Sequence, residues 1–165
     1  MTDAFDSSWL HQHYHGWRKS RMDGVKKYIP STFFQGKTLL EVAAGNGDIG
    51  AQFAEMGSIV TCSDARQEHL DIVTWKHPEL ATFLANHNDN VIDKNYDVIV
   101  DFGILYHLHN VETHIADIAS HTNVLLLESE VIDSSSPTLS FTVEHPDSLF
   151  DQSFDCVDSR YTPSF

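Results

Sequence analysis

The 165-residue sequence predicts an α/β domain, three layers deep, with helices on both faces of a mostly parallel sheet. Three observations carry that expectation. Short apolar runs alternate along the chain with stretches of helical period, the pattern of strand-crossover-strand units. Several of the runs are apolar at nearly every position, as strands covered on both faces are. The first run also ends in a Gly-rich turn, Gly45-Asn-Gly-Asp-Ile-Gly50, that leads directly into a helix-forming stretch.

Residues 6–28 mix aromatic, His and basic residues with only Gly16 and Gly24 as breakers, so they read as one or two helices ahead of the core. Pro30 and Gly36 then mark a linker. Strands are expected at 38–42, 58–63, 81–86, 96–102 and 123–131. Helices are expected at 48–56, 65–75 and 111–120, with Gly57 where a C-cap belongs. The polar, Asn/Asp-rich link 86–95 reads as a loop or a short helix. Ser134-Ser-Ser-Pro137 is a turn cluster, 138–144 alternates like a strand, and 147–165 shows no long helical period. One domain results, with an N-terminal helical segment and linker (1–36), a core (37–133) and a tail (134–165).

Composition narrows the function classes. Hydrophobic residues at 41% and charged residues at 21% are ordinary for a globular chain, so it is expected to fold around one sizeable core. Ten Lys and Arg against 24 acids, a net charge of −14, argue against nucleic acid, whose phosphates are bound mainly through basic side chains. The acidic start lacks the positive region of a secretory signal, and no apolar run approaches the ~20 residues that span a bilayer. A cytoplasmic location without membrane contact is therefore expected. Cys62 and Cys156 lack neighbours at metal-site spacing and read as reduced packing residues.

Gly45, Gly47 and Gly50 spell a Gly-x-Gly-x-x-Gly fingerprint, with Asp64 at a distance suited to the ribose hydroxyls of a dinucleotide. Alone, that signal is weak. Glu41 sharpens it, because a carboxylate inside an otherwise apolar strand is expensive without a partner. The segment Leu39-Leu-Glu-Val-Ala-Ala-Gly-Asn-Gly-Asp-Ile-Gly50 resembles the first motif of class I S-adenosylmethionine-dependent methyltransferases, an acid followed after three residues by Gly-x-Gly. Phe34-Gln-Gly-Lys37, Val60-Thr-Cys-Ser-Asp64-Ala-Arg66 and Tyr96-Asp-Val-Ile-Val-Asp-Phe-Gly-Ile-Leu-Tyr-His-Leu108 resemble the same family, and the likeness covers 33–131.

The resemblance implies a Rossmann-like fold, S-adenosyl-L-methionine as cofactor, and a role for each matching position. Glu41, Ala43, Gly45 and Gly47 would surround the methionine part, and Asp64 would accept from the ribose hydroxyls. Ala65 and Arg66 would border the adenine, with Asn88 and Asp89 near its exocyclic nitrogen. Phe102 and Gly103 would form the floor under the sulfonium. The bland readings remain beside these: the glycines as a turn, Asp64 as the cap of the following helix, Glu41 in a structural ion pair, Asn88 and Asp89 as turn residues.

Methyl transfer depends chiefly on alignment, with a base needed only when the acceptor must lose a proton. Tyr106 and His107 lie just past the fourth strand, where ligands of open sheets sit, and are the catalytic candidates. The run His11-Gln-His-Tyr-His15 lacks acids or cysteines at zinc-site spacing, so no metal is expected. Trp17, Arg18 and Arg21 are read as a lid, with Arg21 aimed at the cofactor's carboxylate.

Members of the family usually follow the fifth strand with a further helix and an antiparallel pair. Only 132–165 follows Val131 here, and Arg160-Tyr-Thr-Pro-Ser-Phe165 reads as the start of a next helix capped by Thr162. The sheet is thus expected to lack its usual last helix and strands. Residues 138–144 are one candidate to cover its edge, and a second copy of the chain in a homodimer is the other. The leading function is a methyltransferase acting on a small-molecule acceptor. A non-catalytic S-adenosylmethionine-binding module and an NAD-dependent oxidoreductase stay open as alternatives.

Overall fold

The computed structural model describes residues 8–132, 139–143 and 157–161. Five parallel strands form the main sheet in the order β3-β2-β1-β4-β5. They are β1 (Thr38–Val42), β2 (Ile59–Asp64), β3 (Ala81–Leu84), β4 (Val98–Phe102) and β5 (Leu125–Glu128). Helix α1 (Ser8–Tyr28) precedes them, while α2 (Asp48–Glu55), α3 (Gln67–Lys76) and α4 (Val111–His121) connect β1 to β2, β2 to β3 and β4 to β5. Among the described residues no helix is long and apolar enough to cross a membrane.

Alternate residues of each strand face opposite layers. Leu39, Val60, Cys62, Val98 and Val100 pack with Met22 and Val25 of α1, Ile49 and Phe53 of α2 and Val73 of α3. On the other face Leu40, Val42 and Ile99 pack with Ile118 of α4, Ile92, Tyr96 and Leu108. Strands buried on both sides must be apolar throughout, which is why they read as continuous runs. Handedness then fixes the layers: the chain progresses from β1 through β2 to β3 with its helices on one face, returns to β4, and places α4 on the other.

Residues 8–28, in which one or two helices were possible, form a single helix that continues through Gly16 and Gly24. The linker holds a 3-10 turn, Ser31–Phe34, which buries Phe34 against Phe53 with ring centroids 5.0 Å apart. The tail departs further from expectation. Leu139–Val143 is a strand, β6, but it pairs antiparallel with β7 (Val157–Tyr161) in a separate two-stranded sheet and does not extend the main one. Arg160 and Tyr161 therefore belong to a strand, where a helix start was expected; Thr162 and Pro163 lie outside the described residues. The pairing of Leu139 with Tyr161 spans a long separation, so no local period announces it.

Candidate cofactor and acceptor site

The strand order reverses between β1 and β4, and in open parallel sheets that reversal leaves a crevice beyond the carboxyl ends of the two strands. Every sequence-predicted site residue lies at that edge or in the loops above it, apart from Arg21 on α1 and Glu41 inside β1. Val42 is in register with Asp101, and Phe102 with Glu128, so the ends of β1, β4 and β5 are level.

After β1 the chain turns sharply. Ala43 has φ +51°, a left-handed conformation that costs a residue with a Cβ and is concentrated at functional turns. The turn is tied to β2 twice: the Ala44 N–H donates to the Ser63 carbonyl (2.9 Å), and the Gly45 N–H donates to Asp64 Oδ2 (2.9 Å). Asp64 Oδ1 accepts from the Arg66 N–H (2.9 Å) and lies 3.1 Å from His69 Nδ1. Burial alone would raise this carboxyl's pKa, but His69 and the two N–H groups outweigh it and hold it below the usual range. The carboxylate sits at the end of β2. It also caps the turn before α3, which starts at Gln67, through its bond from the Arg66 N–H.

The glycines divide the labour differently from the fingerprint's usual reading. A Cβ on Gly45 would meet nothing within 4 Å, so open space lies over that part of the turn. Gly47, at φ +74°, would instead direct a Cβ to 3.1 Å from the Val73 methyls, against α3. Gly50 permits a close approach: a Cβ there would stand 2.5 Å from Glu41 Oε2.

Glu41 is 4% exposed and turned toward α2, where its Oε2 accepts from the Gly50 N–H (2.8 Å) and the Cys62 thiol (3.4 Å). Desolvation pushes its pKa up to about 8, against the smaller pull of those two donors. The acid is therefore a mostly neutral strut between β1 and the start of α2 at neutral pH. Cys62 is buried and free of any disulfide.

Helix α1 crosses this edge. Arg18 binds Asp48 at the start of α2 (2.9 Å), where Lys76 also bonds the same carboxylate. One turn on, Arg21 reaches Glu128 at the end of β5, with Nε and Nη2 both on Oε2 (2.7 and 2.6 Å). Its guanidinium lies directly over Gly103, where a Cβ would stand 2.5 Å from Nη2, and 5.8 Å from the Trp17 ring. Trp17 in turn meets Tyr14 edge-on at 6.2 Å. Trp17, Arg18 and Arg21, expected as a lid, lie together on α1, and Arg21 is anchored by a carboxylate of the protein itself. The side chains of His11 and His13 lie outside the described residues.

Beyond β4, Tyr106 is buried and meets the partly exposed His107 in a tilted contact, ring centroids 4.2 Å apart. Burial first, and the nearby Glu130 second, push the phenol's pKa up, so Tyr106 keeps its proton. Asn88 is buried; its Oδ1 accepts from the His109 N–H (2.9 Å), which ties the loop after β3 to the loop before α4, whereas Asp89 is exposed. Partly exposed Ala65 and Arg66 complete the rim.

Four buried polar residues had no place in the sequence reading. Ser63 Oγ and His87 Nε2 are 2.8 Å apart, His114 Nε2 and Asp101 Oδ2 are 2.9 Å apart, and the two imidazoles meet edge-on at 5.4 Å. Burial and the neighbouring His114 lower the His87 pKa to about 3, and burial raises that of Asp101 against the pull of His114. This cluster lies under the crevice floor, on the α4 side of the sheet, and braces β2 and β4. Glu128, the partner of Arg21, was also missed.

No family model and no curated relative matches the sequence. Solved structures do. The N-terminal domain of EvdMO1, in the presence of SAH and D-fucose, matches with a TM-score of 0.66 at 16% identity over 86% of this chain and 67% of that one. CalS10, a SAM-bound amino pentose methyltransferase from Micromonospora echinaspora, gives 0.63 at 14% over 86% and 65%. Magnesium protoporphyrin IX methyltransferase from Synechocystis PCC 6803, with bound SAM, gives 0.62 at 16% over 74% and 64%. The chain has the class I methyltransferase fold. It spans about two thirds of the length of these three proteins, and 55% of the Synechocystis enzyme's in its structure with SAH.

Proposed function

We propose that the chain is an S-adenosylmethionine-dependent methyltransferase acting on a small-molecule acceptor. The observation that carries this reading is the arrangement at one crevice of the strained turn at Ala43, the Asp64 carboxylate, the Phe102-Gly103 floor and the Arg21 guanidinium, within a fold shared with methyltransferases.

The residues present fit the cofactor. The open space over Gly45 and the turn from Ala43 suit its methionine part, and Asp64 retains lone pairs for ribose hydroxyls beyond those its backbone donors use. Arg21 commits Nε and Nη2 to Glu128, which leaves Nη1 for the cofactor's carboxylate. Arg66, Ala65 and exposed Asp89 would border the adenine, and buried Asn88, which accepts from the His109 N–H, would support that loop. Glu41 acts through the turn, by fixing α2 beneath it, and Gly47 acts by letting that helix pack on α3. The cofactor's sulfonium supplies an electrophilic methyl group.

The chain's own contribution is alignment and exclusion of water by α1. Tyr106 does not serve as a base, because its proton is held firmly. His107 is then the base for acceptors that must lose a proton. The test is turnover with methyl-labelled S-adenosylmethionine across amine, hydroxyl and carboxylate acceptors, read by mass spectrometry. Label in a small-molecule product is expected; cofactor binding without transfer to any acceptor would assign a binding module instead.

A further inference from the structure

Helix α1 is fastened to both banks of the crevice by two cations one turn apart. Arg21 goes to Glu128 at the end of β5 and lies over Gly103, just past β4. Arg18 goes the other way, to Asp48 Oδ2 (2.9 Å) at the start of α2, immediately after the Gly-rich turn. Because the crevice opens between β1 and β4, the two ion pairs straddle it.

Packing gives the Arg18 side of this arrangement its importance. Met22 and Val25 sit in the core, but among the described side chains of α1 none before Met22 is buried. Core packing therefore fixes the depth of the helix at Met22, and a second point of attachment is needed to fix its direction across the crevice. Asp48 is built to be that point. Its carboxylate also bonds Lys76 at the end of α3, and His77 Nε2 lies 3.5 Å from Oδ1. Burial alone would raise the Asp48 pKa, but Lys76 and Arg18 outweigh it and hold the group below the usual carboxylate range, so the charge is present at neutral pH. A carboxylate already held by α3 is a fixed post, and pairing with it costs less side-chain freedom than pairing with a mobile surface acid.

We infer that Arg18 is a positioning residue for the cofactor: through Asp48 it sets how α1 lies across the crevice, and so where Arg21 presents Nη1 to the carboxylate of the methionine part. This rests on the methyltransferase reading above. The adenosine half, assigned to Asp64 and the loop after β3, lies off this helix, so the influence of Arg18 is confined to the methionine end.

The experiment is calorimetry on the full chain with two ligands, S-adenosylhomocysteine and methylthioadenosine, which keeps the adenosine and the thioether but lacks the amino-acid group. The unaltered chain should prefer S-adenosylhomocysteine by about tenfold or more, the scale of one charge-assisted hydrogen bond. Arg18→Gln should cut that preference by about threefold or more while methylthioadenosine affinity stays within about twofold, and Arg18→Lys should restore part of the loss. Combining Arg18→Gln with Asp48→Asn should cost no more than Arg18→Gln alone, because the two act as one unit. A preference that survives in Arg18→Gln, equal weakening of both ligands, no recovery in Arg18→Lys, or a further loss in the double variant overturns the inference. An unaltered chain that binds both ligands alike removes the role of Arg21 and this inference with it, and leaves the methyltransferase reading standing. One that binds neither overturns that reading as well.

Discussion

Replacing Glu41 by Gln probes the buried strut that links the first strand to the turn. The carboxyl's ordinary value is 4.5, and burial in the fold raises it to about 8. Between those values the folded chain holds a proton that the unfolded chain has released, so folding stability is fully present below about pH 4.5 and is lost as pH rises toward 8. Each unit of difference corresponds to about 1.4 kcal/mol, so this one group should remove on the order of 3 kcal/mol between pH 5 and pH 8. Gln is close to isosteric, keeps an oxygen for the Gly50 N–H and the Cys62 thiol, and cannot ionise. The variant's stability relative to the unaltered chain should therefore climb by that amount over the interval, whatever its offset at pH 5. Urea denaturation of both proteins at pH 5, 6, 7 and 8 measures the difference directly, and histidines common to both chains cancel. Two parallel curves, with a constant difference within about 0.5 kcal/mol, would refute the placement of Glu41 as a desolvated acid.

Two further outcomes follow from the same geometry. His87 has its pKa lowered from 6.5 to about 3, so it stays neutral in the fold while the unfolded chain takes a proton as pH falls below 6.5. Stability should drop by about 1.4 kcal/mol per pH unit on that limb, and His87→Gln should flatten it in acid denaturation followed by circular dichroism; an unchanged slope would count against burial of a neutral imidazole. Asp64→Asn should weaken S-adenosylhomocysteine by about 1–3 kcal/mol in calorimetry, the cost of lost hydrogen bonds to a charged group, and undiminished affinity would remove the ribose assignment.

The order of strands and helices was legible because strands covered on both faces must be apolar throughout, and because the turn after β1 uses glycine at Gly45 and Gly47, two of its three left-handed positions. Strand ends were less so. Tyr96 and Val124 extend the apolar runs, yet Tyr96 is buried outside β4, with its N–H on the His121 carbonyl, and β5 begins only at Leu125. Of the tail, the alternation at 138–144 was legible and β6 stands there, but its partner was not, because β7 is defined by pairing with β6 across the intervening chain.

Within the site, one signal was used at one position and missed at two others. An acid inside an apolar strand drew attention to Glu41, and the same pattern stands in Val98-Ile-Val-Asp101-Phe102 and Leu125-Leu-Leu-Glu128. Asp101 resolves into a buried pair with His114, and Glu128 into the anchor of Arg21. The contact between Ser63 and His87 had no such signal, since both are common residue types and only the fold brings the end of β2 against the loop after β3.

The central claim is that the crevice between β1 and β4 takes S-adenosylmethionine, and competitive calorimetry with S-adenosylhomocysteine and NAD tests it most directly. The shared elements of the two ligands, adenine and a ribose with free hydroxyls, would engage Asp64 in either case, so discrimination must come from the methionine end, where Arg21 and the open turn at Gly45 lie. The account predicts saturable, one-to-one binding of S-adenosylhomocysteine that NAD at the same concentration does not displace. Tighter binding of NAD, or displacement of S-adenosylhomocysteine by it, would contradict the account and assign the Gly-rich turn to a dinucleotide.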